Sequence, residues 1–151
     1  MKELEIRPKI WEVQMDELTA EERSLVELAQ EGTNRSYSPY SHFHVGAALL
    51  TREGKIYKGC NIENSSYGAT NCAERTAISK AISEGHSKFV RIVIAAKTEE
   101  PCVPCGMCRQ FMKEFSPDME VICLNTRGDS SVYKLEDLLP YGFDNHFLKR
   151  H

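Results

Sequence analysis

The stretch FVRIVIAAKTEEPCVPCGMCRQFMKEFSPDMEVICLN, from Phe89 to Asn125, decides the fold of this chain. It opens with a β-branched run, FVRIVIAAK, which predicts a central strand. The segment GMCRQFMKEF then predicts an amphipathic helix, and MEVICLN predicts another buried strand. A strand, a helix and a strand in succession predict an α/β fold, in which helices cover both faces of a sheet.

The flanking sequence extends this alternation. AEERSLVELAQEG follows a capping box formed by Thr19 and Glu22, and it predicts a helix that ends at Gly32. HVGAALLT and KIYKGCNIE predict two strands joined by a hairpin turn at residues 52–54. CAERTAISKAISEG predicts another helix, while SSVYKL and LEDLLP predict a short fifth strand and a last helical turn. Because of the hairpin, we expect the sheet to be mixed.

Length and charge limit the functions open to the chain. Its 151 residues are enough for one domain with its own core. A net charge of −3 gives no support to polynucleotide binding, which usually needs a basic face. No apolar run reaches the roughly 18 residues that span a bilayer, and MKELEIRPKIWEVQ lacks the apolar core of a secretory signal. We therefore expect a cytoplasmic protein that binds neither nucleic acid nor membrane, with residues 1–18 as an N-terminal extension.

The cysteines point to function. In a cytoplasmic chain, six cysteines indicate metal binding or catalysis more than a disulfide framework. Cys105 and Cys108 enter the predicted helix behind Pro104, and three interpretations fit their spacing. The pair belongs to a redox-active dithiol, to a structural zinc site with four ligands, or to a catalytic zinc site with three ligands and a place for water.

A cysteine further upstream bears on this choice. Cys72 opens the preceding predicted helix behind Asn71, a residue typical of helix N-termini. If Cys72 lies at the helix entrance, Glu74 can serve the same site, and two helices would begin at one point. The partial positive charge at both N-termini would lower the pKa of the thiols. A structural zinc site has no need of a carboxylate, whereas beside an open coordination position Glu74 can transfer protons.

The neighbouring residues complete this picture. Arg75 would offset the negative charge of three thiolates around a zinc ion by hydrogen bonding to the sulfur atoms. We interpret Cys102 as a spare, half-buried thiol, because it lies outside the helix entrance. Cys60 and Cys123 fall inside predicted strands, and we interpret them as small buried hydrophobic residues.

Several stretches together resemble the small, homo-oligomeric cytidine deaminases. They are YSPYSHFHVGAALL, GCNIENSSYGATNCAERTAI and PCGMCRQFMKEF, and the ending LLPYGF is similar to the family's Leu-Leu-Pro-x-x-Phe. A Cys-x-Glu followed later by Pro-Cys-x-x-Cys is also a signature of zinc-dependent deaminases. The resemblance spans roughly residues 36–143. It implies a catalytic domain over residues 19–151 that folds as a three-layer α/β/α sandwich with a five-stranded mixed sheet. It also implies one zinc ion per subunit and a homotetramer whose active sites are completed across interfaces.

The resemblance also implies a reaction. Cytidine and 2′-deoxycytidine would be converted to uridine and 2′-deoxyuridine with release of ammonia, in pyrimidine salvage. A zinc-bound hydroxide would be the nucleophile and Glu74 the proton shuttle. The nearest alternative is a deaminase of a nucleoside antibiotic or of a base within a polynucleotide. A non-catalytic zinc module with Cys102 as a fourth ligand, and a thiol oxidoreductase, are alternatives from other classes.

The family's residue roles can be carried over position by position. The zinc ligands fall on Cys72, Cys105 and Cys108. Asn61 and Glu63 match the pair that holds the ribose 3′-hydroxyl, and strand residues two apart do face the same side. The other substrate contacts implied are Phe43 against the pyrimidine, the Ala73 backbone near the 2-oxo group, Ser65 and Tyr67 at the 5′ end of the sugar in a neighbouring subunit, and Phe143 over a site across an interface.

The chain departs from the family pattern near this pocket. His42 and His44 flank Phe43, where many members carry other residues. These departures do not fall on the predicted metal ligands, and an altered pocket rim is the one effect we consider for the two histidines, not the one we favour.

Overall fold

The computed structural model describes residues 1–148, which form one mixed sheet and four α-helices. The strands are β1 (Ile10–Val13), β2 (Val45–Thr51), β3 (Ile56–Cys60), β4 (Phe89–Ala96), β5 (Glu120–Leu124) and β6 (Ser130–Lys134). The helices are α1 (Ala20–Thr33), α2 (Ala73–Ser83), α3 (Gly106–Phe115) and the short α4 (Leu135–Leu138). Within this described part of the chain, no helix is both long and apolar enough to cross a bilayer.

The sheet has the strand order β1-β6-β5-β4-β2-β3. β4 and β5 run parallel, with Ile92 opposite Val121, while the other neighbouring strands run antiparallel. The parallel pair comes from the stretch between Phe89 and Asn125, because parallel strands need a crossover and α3 provides it. The predicted strand–helix–strand unit and the predicted hairpin of β2 and β3 are both confirmed.

The prediction of five strands is wrong, because the sheet has six strands over residues 1–148. The additional strand is β1, which lies inside the predicted N-terminal extension and pairs antiparallel with β6, with Ile10 opposite Tyr133. β1 is held by backbone pairing at the sheet edge, and Ile10 and Trp11 remain exposed. The boundary between residues 18 and 19 stays a prediction, and the end of the predicted domain, residues 149–151, lies outside the described residues.

Two apolar clusters fill opposite faces of the sheet, because alternate strand residues point to opposite sides. One cluster joins α1 to β2, β4 and β5 through Leu25, Val26, Ala29, Ala48, Leu50, Val93, Ala95, Ile122 and Leu124. The other joins α2 and α3 to the same strands through Ala77, Ile78, Met112, Ala47, Leu49, Ile92, Ile94, Val121 and Cys123. The helices that begin at the candidate site therefore pack on one face, and α1 packs on the other.

Helix α1 confirms the predicted capping box and corrects its predicted end. The Glu22 N–H donates to Thr19 Oγ1 at 3.2 Å, and the Thr19 N–H donates to Glu22 Oε2 at 2.8 Å. Gly32 does not end the helix, which continues to Thr33. Gly32 instead lets α1 lie close to the β2–β3 hairpin, because a Cβ atom on Gly32 would lie 3.0 Å from both the Gly46 Cα and the Gly59 carbonyl oxygen.

A second close approach fixes the start of α2. A Cβ atom on Gly59 of β3 would lie 2.2 Å from the carbonyl oxygen of Ala73, the first residue of α2. Only a glycine allows the helix backbone to come this near the strand. The N-terminus of α2 is therefore held beside the end of β3, where Asn61 and Glu63 follow.

Candidate active site

Two helices begin at the candidate metal centre. Cys72 is the N-cap of α2 and Cys105 is the N-cap of α3, both with extended backbone at φ −73°, ψ 157° and φ −64°, ψ 164°. Cys108 lies in the first turn of α3 and is fully buried. The predictions that Cys72 occupies a helix entrance and that two helices begin at one point are confirmed.

The sulfur atoms of Cys72, Cys105 and Cys108 lie within 4.8 Å of one another. In a tetrahedral zinc site the sulfur atoms are about 3.8 Å apart, given Zn–S distances of about 2.3 Å. The three thiols are therefore close enough to share one ion. Among the described residues, no further His, Cys, Asp or Glu joins this group, and Cys102 lies outside it.

The charges around the thiols also fit a zinc ion. A hydrogen bond from Cys108, followed by the effects of Arg75, lowers the pKa of Cys72 to about 5, and the same bond raises the pKa of Cys108. Nη2 of Arg75 lies 3.7 Å from the Cys72 sulfur and 3.1 Å from the Thr70 carbonyl oxygen. Its Nε is buried without a hydrogen-bond partner in residues 1–148. A cation with unused donor capacity suits three thiolates around a dication, which carry a net negative charge.

Glu74 is the buried acid of the site, and the residue is 5% exposed. Burial raises the pKa of Glu74 to about 7, and the negative charge of Cys72 adds to this increase. Backbone hydrogen bonding, Cys108 and Arg75 act in the opposite direction and lower the pKa of Glu74. Glu74 lies in the first turn of α2, whose N-cap is Cys72, so it shares the helix entrance with that thiol. A carboxyl that changes protonation near neutral pH can both accept and donate a proton.

Residues 61–63 continue beyond β3 and connect the loops of the site. On one side, the Tyr37 N–H donates to the Asn61 carbonyl at 3.0 Å, and the Glu63 N–H donates to the Tyr37 carbonyl at 2.8 Å. On the other side, Ile62 and Asn71 exchange two backbone hydrogen bonds, of 2.8 and 2.9 Å. The segment therefore lies between the loop that precedes β2 and the residue that precedes Cys72.

The carboxylate of Glu63 organises the loop before β2. It accepts hydrogen bonds from the backbone N–H groups of Tyr40 and Ser41, at 2.9 and 3.2 Å, and from the Ser41 hydroxyl. The Ser41 hydroxyl is the main cause that lowers the pKa of Glu63. A carboxylate offers about four acceptor sites, so a site remains for a ligand donor. Glu63 lines a pocket together with Tyr40, Ser41, Tyr67 and Thr70.

The other predicted site residues lie at different depths. Ala73 is buried at the start of α2, while Phe43 is 39% exposed in the loop before β2 and accepts from the side chain of Asn61. Ser65 is exposed in the loop after β3. Phe143 is 53% exposed and stacks on Phe147 with ring centroids 5.6 Å apart. No hydrogen bond in the described part of the chain links Ser65 or Phe143 to the other predicted site residues.

Sequence reasoning missed part of the pocket wall. Tyr40, Ser41 and Thr70 were not predicted as site residues, yet they line the pocket with Glu63. The polar run YSPYSHF surrounds Pro39 and, by its residues alone, predicts only a turn-rich loop. Its polar side chains immediately before a fully buried strand were the available indication, because exposed functional residues concentrate on loops supported by a rigid scaffold.

The fold and this centre together define a class of protein. It is an α/β protein in which three thiols at two helix N-termini can hold a metal ion beside a buried acid. The particular family follows from comparison with known proteins. The family model described as the cytidine and deoxycytidylate deaminase zinc-binding region matches residues 19–125, and this chain belongs to that family. The matched region contains the three thiols and Glu74.

Individual relatives agree with this assignment. A cytidine deaminase from Halalkalibacterium halodurans is 48% identical over 120 residues, which cover 79% of this chain and 91% of the relative. One from Sporosarcina psychrophila is 46% identical over 125 residues, covering 82% and 92% of the two chains. The crystal structure of cytidine deaminase from Burkholderia pseudomallei superposes with a TM-score of 0.79 at 45% identity, covering 83% of this chain and 100% of that one.

Proposed function

We propose that this protein catalyses the hydrolytic deamination of cytidine and 2′-deoxycytidine to uridine and 2′-deoxyuridine with release of ammonia. The observation that carries this proposal is the buried Glu74 carboxyl beside three converging thiols. A structural metal site has no use for a buried acid that is not a ligand, whereas a hydrolytic site needs one to move protons. Membership in the deaminase family supports the same reaction.

In this proposal Cys72, Cys105 and Cys108 hold one zinc ion per subunit, and Arg75 offsets the charge of the thiolates. Zinc, when bound, supplies the Lewis acidity that lowers the pKa of water to about 7. The donor set supports a hydrolytic site, because the group contains three sulfur donors and no fourth His, Cys, Asp or Glu among the described residues. Three protein ligands are typical of catalytic zinc, and four are typical of structural zinc.

Glu74 acts as the proton shuttle. It accepts a proton from the attacking water and delivers it to N3 of the pyrimidine ring, beside the amino-bearing C4. It then takes the proton of the hydroxyl now on C4 and gives it to the amino group, so that the C4–N bond breaks and each cytidine and water give one uridine and one ammonia. Because Glu74 is only 5% exposed, bulk water has little access to the proton during the transfer.

Asn61 and Glu63 bind the ribose 3′-hydroxyl, with Glu63 as the acceptor and the Asn61 amide as the donor. Both residues are buried, at 8% and 9% exposure, so a substrate without the hydroxyl would leave one acceptor site of Glu63 and one N–H of Asn61 unpaired. Phe43 stacks against the pyrimidine, a contact worth about 1–3 kcal/mol. The backbone of Ala73 lies near the 2-oxo group of the base.

We further propose a homotetramer whose active sites are completed across interfaces. Ser65 and Tyr67 reach the 5′ end of the sugar in a neighbouring subunit, and Phe143 covers a site across an interface. The exposure of Tyr67 and Phe143, at 75% and 53%, supports such contacts. In this proposal residues 19–151 form the catalytic domain, and the helices on the two sheet faces form the outer layers of an α/β/α sandwich. The enzyme would act in pyrimidine salvage in the cytoplasm.

The decrease in ultraviolet absorbance on addition of cytidine tests this function. We expect a decrease with cytidine and with 2′-deoxycytidine, its loss after treatment with a zinc chelator, and its recovery when zinc is restored. A cytosine-containing single-stranded oligonucleotide should give no product. Deamination of the oligonucleotide but not of free cytidine would overturn the assignment of a nucleoside substrate.

A further inference from the structure

Two backbone groups fix the orientation of the Asn61 side-chain amide. One amide atom lies 2.9 Å from the N–H of Val45, a donor, and must be the oxygen Oδ1. The other lies 2.7 Å from the carbonyl of Phe43, an acceptor, and must be the nitrogen Nδ2. Since Phe43 takes one N–H of Nδ2, the second N–H is left for a ligand.

The orientation of Asn61 determines the direction of a chain of hydrogen bonds behind it. The Ser36 hydroxyl lies 2.5 Å from Oδ1 and must donate to it. Ser36 has no second proton, so the Ser38 hydroxyl must donate to Ser36 across 3.0 Å. The proton of Ser38 is then also used, and Nδ1 of His44, 2.9 Å away, must donate to Ser38. The chain runs from His44 through Ser38 and Ser36 to Asn61.

We propose that His44, Ser38 and Ser36 are positioning residues that hold the Asn61 amide in its substrate-binding orientation. This inference rests on the proposed contact between Asn61 and the ribose 3′-hydroxyl. Nδ1 of His44 carries a proton, and this donor makes every other bond in the chain point toward Asn61. Ser38 is 5% exposed and Asn61 8% exposed, so water has little access to these two residues of the chain, while Ser36 and His44 are half-buried.

Reversing the donor at position 44 should disturb Asn61 without changing the shape of the site. An acceptor at this position would take the proton of Ser38, and Ser38 would then take the proton of Ser36. Ser36 would present a lone pair to Oδ1 of Asn61 instead of a proton, and two acceptors that face each other repel. The amide would move out of position and weaken its bond to the sugar.

His44→Asn and His44→Asp form a matched pair for this test. Asn and Asp have nearly the same shape, but only Asn can replace the Nδ1–H donor of histidine. We expect His44→Asn to keep the KM for cytidine within about twofold, and His44→Asp to raise it about tenfold. The kcat should change less than the KM, because the sugar lies away from the reacting carbon. Equal KM values for the two variants would overturn the inference.

A double variant separates this effect from added charge or disturbed packing. Ser38→Ala removes the link, so Ser36 can again donate to Asn61 even when position 44 carries an acceptor. We therefore expect Ser38→Ala/His44→Asp to return to within about threefold of the KM of Ser38→Ala alone, a non-additive result. If charge or packing caused the loss, the double variant would be at least as impaired as His44→Asp. The absence of rescue would therefore contradict the proposed chain.

A measurement without substrate separates this inference from the proposed function. Nitrogen-15 NMR of the native protein should show a protonated Nδ1 on His44, because every other arrangement leaves a pair of acceptors facing each other. An unprotonated Nδ1 overturns the chain whatever the enzyme's activity. A wild-type protein that fails to deaminate cytidine while its His44 Nδ1 is protonated would instead overturn the proposed function.

Discussion

Glu74→Gln is expected to lower the turnover of cytidine by about 10²- to 10⁴-fold while zinc remains bound. Glutamine has nearly the shape of the buried carboxyl but cannot accept a proton from water or release one to the ring nitrogen. The three thiols are untouched, so metal content should be unchanged. Steady-state kinetics and zinc analysis on the same preparation measure both quantities.

The chain offers a matched control for this change. Glu114 lies on the exposed side of α3, the helix that carries Cys108, and Glu114→Gln makes the same chemical substitution away from the site. We expect Glu114→Gln to behave as the wild type in both assays. Near-normal turnover of Glu74→Gln would remove the proton-shuttle role, and loss of zinc from it would show that the acid contributes to metal binding.

Cys108→Ser is expected to lower the affinity for zinc by more than about 100-fold and to abolish activity. Even a residue that only hydrogen-bonds to a metal ligand contributes about 10- to 100-fold, and a neutral serine hydroxyl is a much poorer ligand than a thiolate. Cys108 is fully buried in the apolar cluster on one face of the sheet, so no side chain on the surface can take its place as a metal ligand. Zinc analysis after dialysis against a weak chelator measures the loss.

Cys102→Ser is the control for the second change and also tests the rival zinc module. Cys102 is close to Cys105 in the sequence, but it does not belong to the group of three thiols whose sulfur atoms lie within 4.8 Å of one another. Burial raises the pKa of its thiol, which disfavours the thiolate that a metal needs. We expect Cys102→Ser to keep zinc and activity. Loss of zinc from this variant would establish a fourth ligand and favour a structural site.

Elements with a strong repeating pattern could be predicted from the sequence. The β-branched run that forms β4 and the amphipathic segments of α1 and α2 have one conformation that buries their apolar residues. The capping box of Thr19 and Glu22 could be predicted as well, because it depends only on two residues three positions apart. Such elements carry their structural information within a few consecutive residues.

Features that depend on distant partners could not be predicted. β1 exists because the exposed edge of β6 pairs with it, and Trp11 remains 43% exposed in the strand. Its sequence therefore contains little burial pattern to detect. Gly32 resembled a helix terminator, but its place is fixed by close contact with Gly46 of β2, which a local pattern does not reveal.

The candidate site divides in the same way. The three thiols and Glu74 could be predicted, because each lies at a helix entrance that local sequence marks. The partners of Asn61 and Glu63 come from the loop before β2, where His42 adopts a left-handed backbone with φ of 56°. That conformation depends on how the loop folds around the Glu63 carboxylate, so Ser36, Ser38 and Ser41 could not be placed from the sequence.

X-ray absorption at the zinc K-edge of the purified wild-type protein tests the central claim most directly. Three cysteine ligands with one open position predict a first shell of about three sulfur atoms near 2.3 Å and one oxygen near 2.0 Å. Binding of an inhibitor with an oxygen donor should change only the oxygen contribution. A shell of four sulfur atoms would contradict the account, because it would leave no position for water beside Glu74.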